Sequence, residues 1–134
     1  MKTIGTGETR IDEAHEGIWE TVNGVAVLLG EKKANNILVL DISSLTHMTD
    51  YFIIADVETQ MQIDSLRAHI VDMLSARGIF ARNAVNQAQE SWALLDYNSF
   101  VVHLFLADIR EFYGLERIWH EGKIIPTQNE VQPK

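Results

Sequence analysis

The sequence predicts a single α+β domain with a central mixed β-sheet flanked by helices. Three observations carry that prediction. Ile37 to Ile42 (ILVLDI) and Tyr51 to Val57 (YFIIADV) are short apolar runs rich in β-branched residues, the mark of buried strands. Two longer stretches repeat apolar residues at three- and four-residue steps, the period of a helix with one buried face. Between Trp92 and Phe105 apolar residues alternate on both sides of Asn98-Ser99, as in a hairpin.

Taken in order, the first ten residues read as disordered. Ile11, Ala14, Ile18, Val22, Val25, Ala26 and Leu29 then line one side of a first helix. Thr9 and Asp12 resemble a capping box. Gly30 is the expected end, with Lys32 and Lys33 set against the C-terminal dipole. Gly17 and Gly24 each weaken this helix by about 1 kcal/mol, so packing must hold it. The two buried strands follow, joined by the polar stretch SSLTHMTD. Thr59 and Gln62 form a capping box for a second helix, with Ile63, Leu66, Ile70, Met73 and Leu74 inward and Gly78 as its stop. Ile79 to Val85 reads as a third strand and Asn86 to Ser91 as a loop. After the hairpin, a helix is expected from about Asp108 to Trp119, with Phe112, Leu115 and Trp119 inward. From His120 the chain is polar and carries Pro126 and Pro133, so it should fray. The order is α-β-β-α-β-β-β-α. The expected organisation is a disordered 1–10, one domain over 11–121 and a flexible tail over 122–134.

Bulk properties narrow the function. A chain of 134 residues with 46% hydrophobic and 8% aromatic content builds one core without staples. Cysteine is absent, which excludes disulfides, thiolate catalysis and a cysteine zinc site. The net charge of −8 repels nucleic-acid backbone and favours basic partners. The start lacks the apolar core of a signal peptide, and no run approaches the ~20 apolar residues of a membrane span. A soluble, cytoplasmic protein is expected.

The sequence carries few of the patterns that catalysis needs. A phosphate-binding loop needs glycines between strand and helix, and that junction here reads ADVETQ. His15, His47, His69, His103 and His120 are scattered without metal-ligand spacing, although His47, Asp50 and His103 could meet in space. Ser43, Ser44 and Ser99 sit in turn-like contexts, where hydroxyls usually serve the backbone. Asp41, Asp50, Asp56 and Asp96 could supply paired carboxylates, but sequence brings no two together. Neither a cofactor nor a metal is expected.

The hairpin is the most informative segment. With Asn98-Ser99 as its loop, Tyr97 pairs with Phe100, Leu95 with Val102 and Ala93 with Leu104, a wholly apolar face. The other face sets Trp92, Leu94 and Asp96 opposite Phe105, His103 and Val101. Trp, Leu, Asp and His together suit neither plain solvent nor plain core, so this reads as a surface for something else to cover. Each residue also has a plainer reading. Trp92 could be a half-buried packing residue, Asp96 could only cap the turn, and His103 could lie beside Asp96 across the hairpin. Arg110, Tyr113 and Arg117 read as a solvated helix face.

Four stretches also carry a resemblance: Asp41 with Asp50-Tyr51-Phe52, W-x-L-L-D-Y at Trp92 to Tyr97, V-H-L-F at Val102 to Phe105, and R-E-F-Y-x-L-E-R-x-W at Arg110 to Trp119. Together they resemble the ribosomal silencing factor, or Iojap-like, family, with a match from about residue 12 to residue 121. The resemblance implies a domain similar to a reduced nucleotidyltransferase fold. It further implies binding to the large ribosomal subunit through large-subunit protein fourteen, steric block of subunit joining, and lowered translation in starved or stationary cells. The W-x-L-L-D-Y strand belongs to that family's ribosomal-protein contact region. One departure stands out: Asp56-Val57-Glu58 occupies the place of a usual Gly-x-Ser stretch, which argues further against catalysis.

The expectation is therefore a non-enzymatic translational repressor that contacts its partner through Trp92, Leu94, Asp96, Tyr97 and His103. Trp92 and Leu94 would be anchors, and Asp96 would accept bonds from Arg or Lys. Tyr97 flanks the turn, although the pairing puts it on the core face. A homodimer is expected off the ribosome. The rivals are a large-subunit assembly factor and a residual nucleotide-binding or nucleotidyltransferase-like enzyme.

Overall fold

The computed structural model describes residues 7–83, 90–109 and 123–124, with side chains from 17 onward in the first two segments. Helix α1 (Gly7–Glu31) leads into strands β1 (Asn35–Asp41) and β2 (Tyr51–Val57), then helix α2 (Gln60–Ser75). Strands β3 (Trp92–Asp96), β4 (Phe100–Leu106) and β5 (Lys123–Ile124) complete the described elements. They make one domain with a mixed sheet in the order β3-β4-β2-β1-β5. Only β2 and β4 are parallel neighbours, joined by a crossover that contains α2; the other pairings are antiparallel. Among the described residues, no helix is long and apolar enough to cross a membrane.

Both helices pack on one face of the sheet. Val22, Val25, Ala26 and Leu29 from α1 and Ile63, Leu66, Ile70 and Leu74 from α2 meet Val39, Tyr51, Ile53, Ala55, Leu95, Val102 and Leu104. Strand β2 is buried along its whole length because it lies between β4 and β1. The opposite face holds a smaller cluster of Leu40, Ile42, Phe52, Ile54 and Phe105.

Local chemistry sets the helix ends. The Thr59–Gln62 capping box is present in α2, as its sequence requires. Gly78 at φ +80° ends that helix, and the Ile79 N–H returns to the Leu74 carbonyl at 2.9 Å. In α1 the helix runs through Gly30 instead of stopping there. The left-handed position falls on Lys33, at φ +67°, and the Ala34 N–H closes on the Leu29 carbonyl at 2.9 Å. Helix α1 also begins at Gly7, within the segment read as disordered.

Two further expectations meet different outcomes. Residues 79–83 form no strand. They run beside β3, but the Asn83 side chain takes the bonds a backbone ladder would have made, donating to the Leu94 carbonyl at 2.7 Å and accepting from the Asp96 N–H at 3.0 Å. Lys123 and Ile124, in the segment read as a tail, pair with Asp41 and Leu40 and extend the sheet beyond β1. The expected disorder of 1–6 and most of the final helix, with Phe112, Leu115 and Trp119, lie outside the described residues.

Candidate functional site

The hairpin register matches the alternation. Trp92 faces Phe105, Ala93 faces Leu104, Leu94 faces His103, Leu95 faces Val102 and Asp96 faces Val101. A three-residue turn around Asn98 (φ +74°) closes it, with the Ser99 N–H on the Tyr97 carbonyl at 2.8 Å. The Asp96 carboxylate supports this turn by accepting the Asn98 N–H at 2.9 Å. Arg82 adds a bond from Nη1 to Asn98 Oδ1 at 3.0 Å.

Because neighbouring strands keep their side chains in rows, the register lays out the sheet face opposite α1 and α2. One row runs Trp92, Phe105, Asp56; the next runs Leu94, His103, Ile54, Leu38; the third runs Asp96, Val101, Phe52, Leu40. Its centre is covered: Phe105 is 0% and His103 only 3% exposed. Ile109 packs against the same cluster. The face read as a surface for something else to cover is thus covered at its centre by the chain itself. What stays half-exposed is its margin along β3, where Trp92, Leu94 and Asp96 alternate with buried Ala93 and Leu95.

The five residues singled out by sequence thus separate. Trp92, Leu94 and Asp96 stand together on the β3 margin. His103 sits directly behind Leu94, buried, and offers a partner no surface. Tyr97 lies on the helix-side face, 6% exposed and stacked on Phe100 at 5.2 Å, so direct contact is closed to it as well. Burial pushes the Tyr97 hydroxyl pKa up. His103 is not bonded to Asp96 across the hairpin. Its Nδ1 accepts the Trp92 indole N–H at 3.1 Å, and its ring meets Phe52 edge-on at 4.6 Å. Desolvation drives its pKa from the ordinary 6.5 down to about 3, so the ring is neutral at neutral pH.

The junction after β2 is occupied by its own side chains. Asn36 donates to buried Asp56 at 3.1 Å. The Glu58 and Thr59 N–H groups both donate to Gln62 Oε1, at 3.0 and 3.1 Å. Amides that a phosphate loop would aim at a ligand are spent here on the helix cap. Among the described residues, no three His, Asp or Glu side chains gather to hold a metal ion; His47 is exposed, whereas His103 is buried behind β3. Sequence reasoning missed Asn83. Its only signal was a polar break inside the apparent strand Ile79 to Val85.

The chain as a whole is similar to known proteins. The family model described as ribosomal silencing factor during starvation matches residues 14–134. The chain belongs to the ribosomal silencing factor family. It is 29% identical over 99 residues to a ribosomal silencing factor of Bacillus subtilis, covering 74% of this chain and 84% of that one. A chloroplastic Iojap protein of Arabidopsis thaliana is 34% identical over 113 residues, 82% of this chain and 47% of that longer protein. A mouse protein named for mitochondrial assembly of the ribosomal large subunit is 27% identical over 108 residues, 78% of this chain and 47% of its own. The fold is similar to a crystal structure from Chromobacterium violaceum, with TM-score 0.69 at 24% identity over 86% of this chain and 89% of that one.

Proposed function

We propose that this ribosomal silencing factor family member binds the large ribosomal subunit through the β3 margin and represses translation by steric exclusion of the small subunit. The observation that carries the reading is the half-exposed row Trp92, Leu94, Asp96, an aromatic and an aliphatic anchor next to a carboxylate. Asp96 uses Oδ1 on the Asn98 N–H and keeps acceptor capacity for an Arg or Lys of a basic partner. Large-subunit protein fourteen is the partner that the family resemblance points to, and the net charge of −8 favours such a contact. Binding would need no chemistry, and the capped β2–α2 junction supports a non-enzymatic role; the proposed place of action is the cytoplasm. Off the ribosome, the same margin would receive a second copy of the chain, giving a homodimer that the subunit competes away.

The test is sedimentation with purified subunits and with joined ribosomes. The chain should travel with large subunits alone, and Trp92→Ala should weaken that binding by about 2 kcal/mol, roughly thirtyfold. Equal recovery with both subunits, or with neither, defeats the proposal. A second reading, assistance to large-subunit assembly, draws on the name of the mouse relative. It predicts that loss of the protein leaves immature large particles, whereas silencing predicts mature subunits that join too readily under starvation.

A further inference from the structure

We propose that His103 is a positioning residue, which fixes the Trp92 indole in the orientation its partner meets by accepting the indole N–H. The inference rests on the reading of Trp92 as a partner anchor. A tryptophan at the start of an edge strand has two side-chain torsions and little around it to select between rotamers. Here it is held on two sides. Its ring lies 4.8 Å from Phe105 at an interplanar angle of 34°, and its Nε1–H donates to His103 Nδ1 at 3.1 Å.

His103 is in turn wedged. Phe52 meets it edge-on at 4.6 Å, Phe105 lies parallel to it at 6.2 Å, and its row neighbours are Leu94 and Ile54. A position that needed only to be filled would suit Phe, Leu or Ile, as the surrounding positions do. Histidine is a costly choice there. With Nδ1 accepting, the neutral ring carries its proton on Nε2, and that buried nitrogen has no hydrogen-bond partner among the described residues. A buried polar atom left unmatched is disfavoured unless the residue does something an apolar ring cannot. What His103 does is present an acceptor to Trp92. Burial keeps the ring neutral, so that lone pair remains available throughout the neutral pH range.

Three variants separate positioning from packing. His103→Phe keeps a ring and removes the acceptor; His103→Asn returns an acceptor near the Nδ1 position; Trp92→Phe keeps a ring and removes the donor. Two quantities are read: hydrogen exchange of the Trp92 indole proton by nitrogen-15 NMR, assigned by its loss in Trp92→Phe, and affinity for purified large subunits. Indole exchange should quicken about five- to tenfold in His103→Phe and slow again in His103→Asn. His103→Phe and Trp92→Phe should each weaken binding, and the double variant should bind no more weakly than the worse single one. Unchanged indole exchange in His103→Phe, or losses that simply add, overturns the proposal while leaving the binding face intact. Full affinity in Trp92→Ala overturns the face itself and the positioning role with it. If His103→Phe does not fold, Trp92→Phe decides alone, and wild-type affinity in that variant overturns the proposal.

Discussion

Acidification should weaken this domain through His103 in particular, and the size of the effect follows from its surroundings. The ring is buried among Phe52, Phe105 and Trp92, and desolvation lowers its pKa from 6.5 to about 3. In the unfolded chain the same residue takes up a proton once the pH drops below its ordinary value. Between these limits the unfolded state binds more protons than the native state, so stability rises with pH and is lost on acidification. The contribution is fully present above about pH 6.5 and disappears as pH falls toward about 3. At pH 5 the native state resists protonation across about 1.5 pH units, and at about 1.4 kcal/mol per unit the loss relative to pH 7 is about 2 kcal/mol. Urea unfolding of wild type and His103→Phe at pH 7, 6 and 5 measures it. Contributions common to the two proteins cancel in the difference. The wild type should lose about 2 kcal/mol more than the variant between pH 7 and pH 5. Parallel stability curves would refute the reasoning, because they would mean that the His103 ring is solvated or charged in the native state.

Three other outcomes follow from the same structure. Leu95→Ala, at a fully buried position between the sheet and the helices, should destabilise the domain by about 2–5 kcal/mol in denaturant titration, whereas Asp96→Asn should cost little stability. Asp96→Asn should instead weaken large-subunit binding and flatten its dependence on salt, which sedimentation across a salt series would show. Alanine should have opposite effects at two glycines. Gly24→Ala, inside α1 with open space around the added Cβ, should raise stability by about 1 kcal/mol, and Gly78→Ala, forced to φ +80°, should lower it by a similar amount. Thermal unfolding checks both signs.

The hairpin was legible because a one-residue slip would turn Ala93 and Leu95 to the opposite face from Val102 and Leu104. The turn at Asn98-Ser99 then selected among the registers that alternation allows. The Thr59–Gln62 cap was legible for a similar reason: both halves of its chemistry lie within one helical turn. Features decided by residues far apart were not legible. The position of His103 on the second face could be read, but not its burial or its bond to Trp92, which lies on another strand. Asn36 and Asp56 are likewise brought together only by folding, so Asp56 could be read only as one of four carboxylates able to pair. The end of α1 failed differently. Gly30 is the residue that ordinarily stops a helix, yet Lys33 adopts the left-handed conformation because Ala34 must turn there into β1. The apparent strand Ile79 to Val85 had the right composition, but over its described residues, 79–83, the Asn83 side-chain amide and a single backbone bond from Arg82 make the contacts to β3 in place of a ladder.

That amide bears on how a partner could be recognised. β3 is the last strand of the sheet, and an edge strand ordinarily offers a row of backbone donors and acceptors to any chain that can pair with it. Here those groups are engaged. Asn83 holds the Leu94 carbonyl and the Asp96 N–H, the Arg82 N–H holds the Asp96 carbonyl at 2.7 Å, and the Trp92 N–H reaches the Glu90 carbonyl at 2.7 Å. Addition of a partner strand would have to break these bonds before forming its own, so β-augmentation is disfavoured at this edge. On the proposed mode of binding, recognition would rest on the side chains that β3 turns outward: a flat aromatic ring, a branched aliphatic group and a carboxylate, at alternate positions of one strand. Those groups would select by shape and charge, which backbone pairing does not. The bonds that close the edge also tie the strand to its turn, so binding there would require little further ordering. An edge sealed against strand addition and a margin held for side-chain contact are two consequences of one local arrangement, in which Asn83 contributes as much as the residues it displays.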